Sequence, residues 1–144
     1  MHARAATRHL VTIFLGATLG LAACSGDRYI VVGSARAPST SGWVVIEDAS
    51  TSSAEVTVHL EHLPRAKQLD PAMRVYVVWF EPTSLGGAPN RAGTLKYYPD
   101  DRIGELKAKA PFGKFVVKVT AEANDKPAMP SDFVVASQEI TLED

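Results

Sequence analysis

Arg74–Glu81 (RVYVVWFE) has the residue pattern that indicates the fold class of this 144-residue chain most clearly. A strand with one face in water alternates apolar and polar residues, because successive side chains point to opposite faces of the sheet. Residues 75–80 are apolar or aromatic without alternation, and their residue types are those most common in strands. We therefore predict a central strand that is covered on both faces, with Trp79 in the core.

Further short strands surround this stretch. Ala54–Leu60 alternates between apolar and polar residues, which predicts a half-buried strand of an antiparallel sheet. Lys114–Ala121 alternates in the same way, and its Lys118 and Thr120 are predicted to face solvent. The other predicted strands are Tyr29–Val32, Trp43–Asp48, Thr94–Tyr98, Gly104–Lys109 and Phe133–Leu142.

The segments between these strands are rich in Gly, Pro and Ser. Residues 33–42, 63–73, 82–93 and 123–131 are predicted to be loops, the second with a helical turn at 66–69, and residues 99–102 a hairpin turn. Seven or eight short strands at this spacing predict an all-β fold. The expected architecture is a single antiparallel β-sandwich of immunoglobulin-like design.

The first 23 residues have the features of an export signal. Arg4 and Arg8 make the start positive, and the following residues 10–23 carry no charge. This run of 14 residues fits the apolar part of a signal peptide and is shorter than the roughly 20 residues that span a bilayer. It ends in Leu21-Ala22-Ala23-Cys24, which resembles the lipobox of bacterial lipoproteins.

That resemblance implies a covalent lipid on Cys24 and cleavage of the chain directly before it. Cys24 is the only cysteine, and a lone exported thiol without a partner is otherwise a liability. Two or three acyl chains on this residue would anchor the mature protein firmly to a lipid bilayer. In enteric bacteria, an Asp directly after the lipidated cysteine retains a lipoprotein in the inner membrane. This chain has Ser25 at that position. We therefore expect a lipid-anchored protein of the cell envelope, at the outer membrane or facing the periplasm, with no other cofactor.

The predicted organisation is a signal peptide at 1–23, a lipidated segment at 24–42 and a β-sandwich at 43–144. The sequence leaves open whether residues 29–42 form a first strand of the fold or part of a tether. Cleavage would leave 121 residues with 13 basic and 16 acidic side chains, a net charge of −3. Nucleic-acid-binding proteins gather a basic excess to neutralise phosphates, so nucleic acid is not an expected partner.

Two segments resemble the membrane-distal domain of anti-sigma-K factors. Arg74–Glu81 followed by residues 86–95 (GGAPNRAGTL) is similar to that family's YxxW…GxPxxxGxL segment. Residues 115–135 are similar to its VTxEP…P…PxxPVV stretch, and the resemblance extends over about residues 54–142. It implies a small β-sandwich on the outer side of a membrane, a layout shared by envelope lipoproteins. Anti-sigma factors also need a cytoplasmic domain and a spanning helix, and a cleaved signal takes that place here, so no sigma factor is expected as a partner.

His59, Glu61 and His62 are the only clustered residues of metal-ligating types. Residues i and i+3 of a strand point to opposite faces, so both imidazoles could hold one ion only if the chain bends near Pro64. His59 and Glu61 share a face but supply only two ligands. We therefore predict no metal site and keep these three residues as the candidates of an alternative.

Signs of catalysis are absent from the sequence. No Gly-x-Ser-x-Gly motif occurs, and Asp100 and Asp101 lie in a turn without the alternating oxygen ligands of a calcium loop. We predict that the protein is not an enzyme.

The expected function is a non-catalytic binding or structural module that contacts an envelope protein or the cell wall. Function in sandwich folds usually lies in the end loops, and exposed aromatic rings can bind sugar or protein. The candidate surface residues are Leu85, Asn90, Arg91, Tyr97 and Tyr98. The alternatives are a periplasmic metal-binding or enzyme-accessory protein that uses the histidine cluster, and an extracytoplasmic sensor domain.

Overall fold

The structure is a computed structural model that describes residues 26–142. The predicted signal peptide and the lipobox residues, including Cys24, lie outside the described residues. Within residues 26–142 there is no helix long and apolar enough to cross a membrane. The elements in chain order are β1 (Asp27–Val32), β2 (Ser41–Ser50), β3 (Ser53–Glu61), α1 (Ala66–Leu69), β4 (Val75–Pro82), β5 (Asn90–Thr94), β6 (Lys96–Tyr98), β7 (Ile103–Ala110), β8 (Lys114–Glu122) and β9 (Val134–Thr141).

The strands form two antiparallel sheets. The first has five strands in the order β1-β2-β3-β7-β6, and the second has four in the order β5-β4-β8-β9. Without β1 and β5, the remaining seven strands have the immunoglobulin arrangement, in which strands A, B, E and D form one sheet and strands C, F and G the other. The order β2-β3-β7-β6 corresponds to the first of these sheets, and β4-β8-β9 to the second. β1 and β5 are additional strands, each at the edge of one sheet. The predicted all-β sandwich is confirmed.

The main core lies between the two sheets. In β3 the residues at every second position, from Ala54 to Leu60, are fully buried, as their alternation predicts. From the other sheet Tyr76, Phe80 and Phe115 enter the same cluster, and the rings of Phe80 and Phe115 meet edge to face with centroids 5.3 Å apart.

Part of the outer face of the four-stranded sheet is buried as well, around the central strand, as predicted for that strand. Trp79 is 1% exposed, but it points away from the main cluster, since its neighbours Val78 and Phe80 point into it. Its indole Nε1 donates to Thr120 Oγ1 at 2.9 Å. Thr120 is fully buried, so its predicted exposure to solvent is wrong.

The segment between β8 and β9 explains this burial, because it folds back over the outer face. Thr120 donates to the buried carboxylate of Glu122 at 2.6 Å. The same carboxylate accepts the backbone N–H of Ser131 at 2.8 Å. The Arg91 side chain on β5 donates to the carbonyl of Asp125, which holds the middle of the segment in place.

Residues 26–142 form nine strands where the sequence predicted seven or eight. Thr94–Tyr98, predicted as one strand, is divided at Leu95: Thr94 ends β5 in one sheet, and Lys96 begins β6 in the other. Leu95 is 4% exposed and its N–H donates to the Tyr76 carbonyl at 2.8 Å. Residues 90–93 of β5 were predicted to be loop, and this part of the prediction is wrong.

β1 pairs with β2 along its whole length, from Asp27 opposite Ile46 to Val32 opposite Ser41. The following segment is packed rather than extended, with Ala37 and Thr40 buried and the Gly33 N–H donating to the Thr40 carbonyl at 2.7 Å. Residues 29–42, which the sequence left open, are therefore part of the folded unit.

Candidate functional site

The start of β1 defines one end of the sandwich, which we call the anchor end. Three other segments lie there: the turn after β2, the loop 83–89 and the turn 111–113. The pairing of Pro82 with Phe115 places the loop 83–89 beside the turn 111–113. The pairing of Lys114 with Thr141 places the end of β9 there as well. The Tyr29 hydroxyl donates to the Thr141 carbonyl at 3.2 Å, which joins β1 to the same end.

Gly26, the first described residue, lies at this end and follows Cys24 by two positions in the sequence.

Leu85 is the most exposed large apolar residue of the described part and lies in the loop 83–89 at the anchor end, with its whole side chain in solvent. Gly86 follows with φ of +81°, a left-handed conformation that side chains rarely adopt. The Gly87 N–H donates to the Ser84 carbonyl at 3.2 Å and closes the turn that displays Leu85.

His59 lies on the outer face of the five-stranded sheet, where Trp43 of the neighbouring strand is its direct partner. The two rings stack with centroids 4.1 Å apart, and the Arg28 guanidinium lies 5.1 Å from the Trp43 ring centre. The His59 Nδ1 atom is 2.9 Å from Glu105 and its Nε2 atom is 3.4 Å from Glu61. Both ring nitrogens thus already have a partner within the protein.

His62 does not join this group in a metal site. It follows the end of β3 with φ of +56°, and its carbonyl accepts a hydrogen bond from the Arg102 side chain at 3.0 Å. Within the described part of the chain, no group of three or more His, Cys, Asp or Glu residues could hold a metal ion.

The other predicted surface residues fall in different places. Asn90 and Arg91 lie on the edge strand β5 of the four-stranded sheet, where Arg91 holds the segment after β8. Tyr97 and Tyr98 lie on the edge strand β6 of the five-stranded sheet and face opposite sides of it. With Leu85 at the anchor end, these five residues do not form one continuous surface.

The two tyrosines of β6 have different roles. Tyr97 packs edge to face on Tyr76 with centroids 5.8 Å apart and donates to the Leu63 carbonyl at 2.7 Å. Tyr98 lies on the outer side, where the Lys96 ammonium is 5.0 Å from its ring centre. The hydrogen bond with Tyr98 raises the pKa of Lys96.

Burial raises the pKa of two hydroxyls at the end opposite the anchor end. The pKa of Tyr76 is raised above its ordinary value by burial and by the neighbouring Tyr97. Burial raises the pKa of Tyr97 too, while Arg102 and Arg65 lower it. Two cationic side chains therefore lie near the Tyr97 hydroxyl, and no pattern in the sequence predicts this arrangement.

No protein-family model, curated protein or solved structure matches this chain. The similarity to the distal domain of anti-sigma-K factors therefore stays a prediction from sequence.

Proposed function

We propose that this chain is a lipid-anchored protein of the bacterial cell envelope, in which the β-sandwich is a non-catalytic binding module held at a membrane surface. The observation that carries the proposal is Leu21-Ala22-Ala23-Cys24 at the end of an uncharged run with a basic start. Because Cys24 is the only cysteine, acylation also accounts for an exported thiol that has no partner in the chain.

The length of the connection supports a definite orientation. Only Ser25 and Gly26 separate Cys24 from the first residue of β1. With so short a tether the anchor end faces the bilayer, and the opposite end points away from it. β3 crosses the same sheet and has nine residues, so the two ends of the sheet are separated by roughly 27 Å.

Leu85 lies on the membrane-facing side in this orientation. Its exposed side chain would lose contact with water at the bilayer surface, which is favourable by about 1.5 to 3 kcal/mol for a side chain of this size. The acyl chains contribute far more, at about 0.8 kcal/mol for each buried methylene. The lipid therefore supplies the attachment, and Leu85 restricts the tilt of the sandwich.

Metabolic labelling tests the anchor. The full-length chain is expressed in a bacterial host with labelled palmitate, as the natural sequence, as Cys24→Ser and as the control Ser25→Ala. We expect label and membrane association in the natural protein and in Ser25→Ala, and neither in Cys24→Ser. Label retained by Cys24→Ser, or its absence from the natural protein, would contradict the proposal.

A thiol probe tests the orientation, since acylation of Cys24 leaves the mature protein without a free thiol. Leu85→Cys places a thiol at the anchor end, and Asp100→Cys places one in the β6–β7 turn at the opposite end, where the Asp100 side chain is 98% exposed. An environment-sensitive fluorophore on each thiol should shift to the blue in lipid vesicles at position 85 and stay unchanged at position 100. Equal spectra at the two positions would refute the orientation.

A further inference from the structure

Three turns at the end away from the anchor enclose a cleft of about 670 Å³. One turn connects β1 to β2, one follows β3, and one joins β6 to β7. Each turn contributes one arginine: Arg36, Arg65 and Arg102. We call this site the arginine cleft.

Two of these arginines are held in position by the fold. The Arg36 guanidinium lies 4.4 Å from the centre of the Phe133 ring, a cation–π distance. The Arg102 side chain donates to the His62 carbonyl at 3.0 Å. Both Arg102 and His62 have positive φ, +57° and +56°, and such strained non-glycine residues are concentrated at functional sites.

Arg65 is the least restrained of the three. Its nearest carboxylate is that of Asp100, with 3.9 Å between Nη2 and Oδ1 and side-chain exposures of 60% and 98%. An ion pair so long and so exposed is weak. Asp100 is also the one carboxylate among the described residues that line the cleft, so three guanidinium charges face a single negative charge.

The positive charge continues into a neighbouring cleft. This second cleft, of about 270 Å³, shares Arg65 and Pro99 with the first and adds Lys67 and Arg74.

The walls of the arginine cleft are suited to a small ligand. Pro38, Pro64 and Pro99 line the cleft, and proline has a fixed φ that limits backbone movement.

We propose that the arginine cleft binds a small, multiply charged oxyanion, a phosphate or a carboxylate. Guanidinium groups present paired N–H donors that match the two oxygens of these anions. Three such groups from separate turns fit a ligand with more than one anionic group better than a single isolated charge. The inference rests on the proposed function only in treating the sandwich as a binding module, and it does not depend on the lipid.

Isothermal titration of the mature protein, purified in neutral detergent with whatever lipid it carries, tests the site, with pyrophosphate and citrate as probes for the phosphate and carboxylate classes. We expect saturable binding of at least one probe, and the tighter one identifies the class. Arg65→Gln should weaken that binding by about tenfold or more, because a charge-assisted hydrogen bond is lost. Arg28→Gln, which removes the same charge from the outer face of the five-stranded sheet, should change it less than twofold.

A variant that removes a negative charge instead of a positive one distinguishes binding in this cleft from general attraction of an anion to the protein. Asp100→Asn removes the carboxylate that lines the cleft and should tighten binding severalfold, with a smaller gain at high salt. No binding of either probe at about 1 mM would overturn the proposal, as would equal losses in Arg65→Gln and Arg28→Gln. Either result would leave the palmitate experiment on Cys24 unaffected, so the two proposals fail separately.

Discussion

Replacement of Trp79 by alanine should destabilise the sandwich more than loss of any exposed aromatic ring. Trp79 is 1% exposed and lies on the outer face of the four-stranded sheet, beneath the segment that connects β8 to β9. Its indole N–H begins a chain of hydrogen bonds through Thr120 and Glu122 to the backbone of Ser131. The substitution therefore removes packing and one end of a buried polar network together.

The size of the effect follows from burial. A tryptophan buries about 150 to 250 Å², and at about 25 cal/mol per Å² that area corresponds to roughly 4 to 6 kcal/mol. Measured tryptophan-to-alanine substitutions in cores cost about 3 to 5 kcal/mol. We therefore expect a loss near 4 kcal/mol in the free energy of unfolding. Trp79→Phe keeps most of the packing and should cost about 1 to 2 kcal/mol, mainly for the lost hydrogen bond and the smaller ring.

Urea unfolding followed by far-ultraviolet circular dichroism measures these differences in the folded domain. The matched control is Trp43→Ala, because Trp43 is half-buried and stacks on His59 on the other sheet. That control should cost roughly 1 to 2 kcal/mol. A loss below about 1 kcal/mol in Trp79→Ala, or equal losses in the two variants, would refute the buried outer layer.

Three further substitutions test separate parts of the fold. Since burial raises the pKa of Tyr76, the unfolded chain releases this proton first above pH about 10 and stability falls as pH rises. Tyr76→Phe should make that fall shallower in unfolding curves recorded between about pH 9 and 11, and an unchanged slope would contradict it. A Cβ atom on Gly42 would lie 2.0 Å from the His59 carbonyl oxygen, so Gly42→Ala should cost about 1 to 3 kcal/mol in urea unfolding; a neutral result would mean that β2 and β3 pair differently. Arg91→Ala removes the donors to the Asp125 carbonyl and should speed hydrogen exchange across residues 123–133, whereas unaltered exchange would show that the segment is held by other contacts.

The strands that carry a strong pattern were predictable from sequence. The unbroken apolar run at residues 75–80 indicates a strand covered on both faces, and β4 is buried on both faces. The alternation at 54–60 likewise predicts which side of β3 enters the core. In both cases the pattern and the burial have the same cause, the two-residue period of a strand.

Features that depend on tertiary contacts were not predictable. β5 contains Arg91, Ala92 and Gly93, which have little strand preference, and it is a strand because it pairs with β4. The alternation of apolar and polar residues in β8 predicts that Thr120 faces solvent. Thr120 is buried because a segment beyond the end of β8 covers it.

The arginine cleft was not predictable from the sequence for the same reason. Arg36, Arg65 and Arg102 are far apart in the sequence and lie in three different turns. Nothing in the composition around any one of them indicates a ligand, and only the order of the strands brings the turns together. By contrast, the residues on which the proposed anchor rests are contiguous in sequence, so the anchor can be proposed without a structure.

The mass of the amino-terminal peptide of the mature protein shows whether Cys24 is its first residue and whether that residue carries lipid. Protein purified from membranes in detergent is digested, and the first peptide is identified by mass spectrometry. We expect a peptide that begins at Cys24 and carries diacylglycerol on its sulfur, with or without a further acyl chain on its amino group. A first peptide that begins elsewhere, or a Cys24 that carries no lipid, would contradict it.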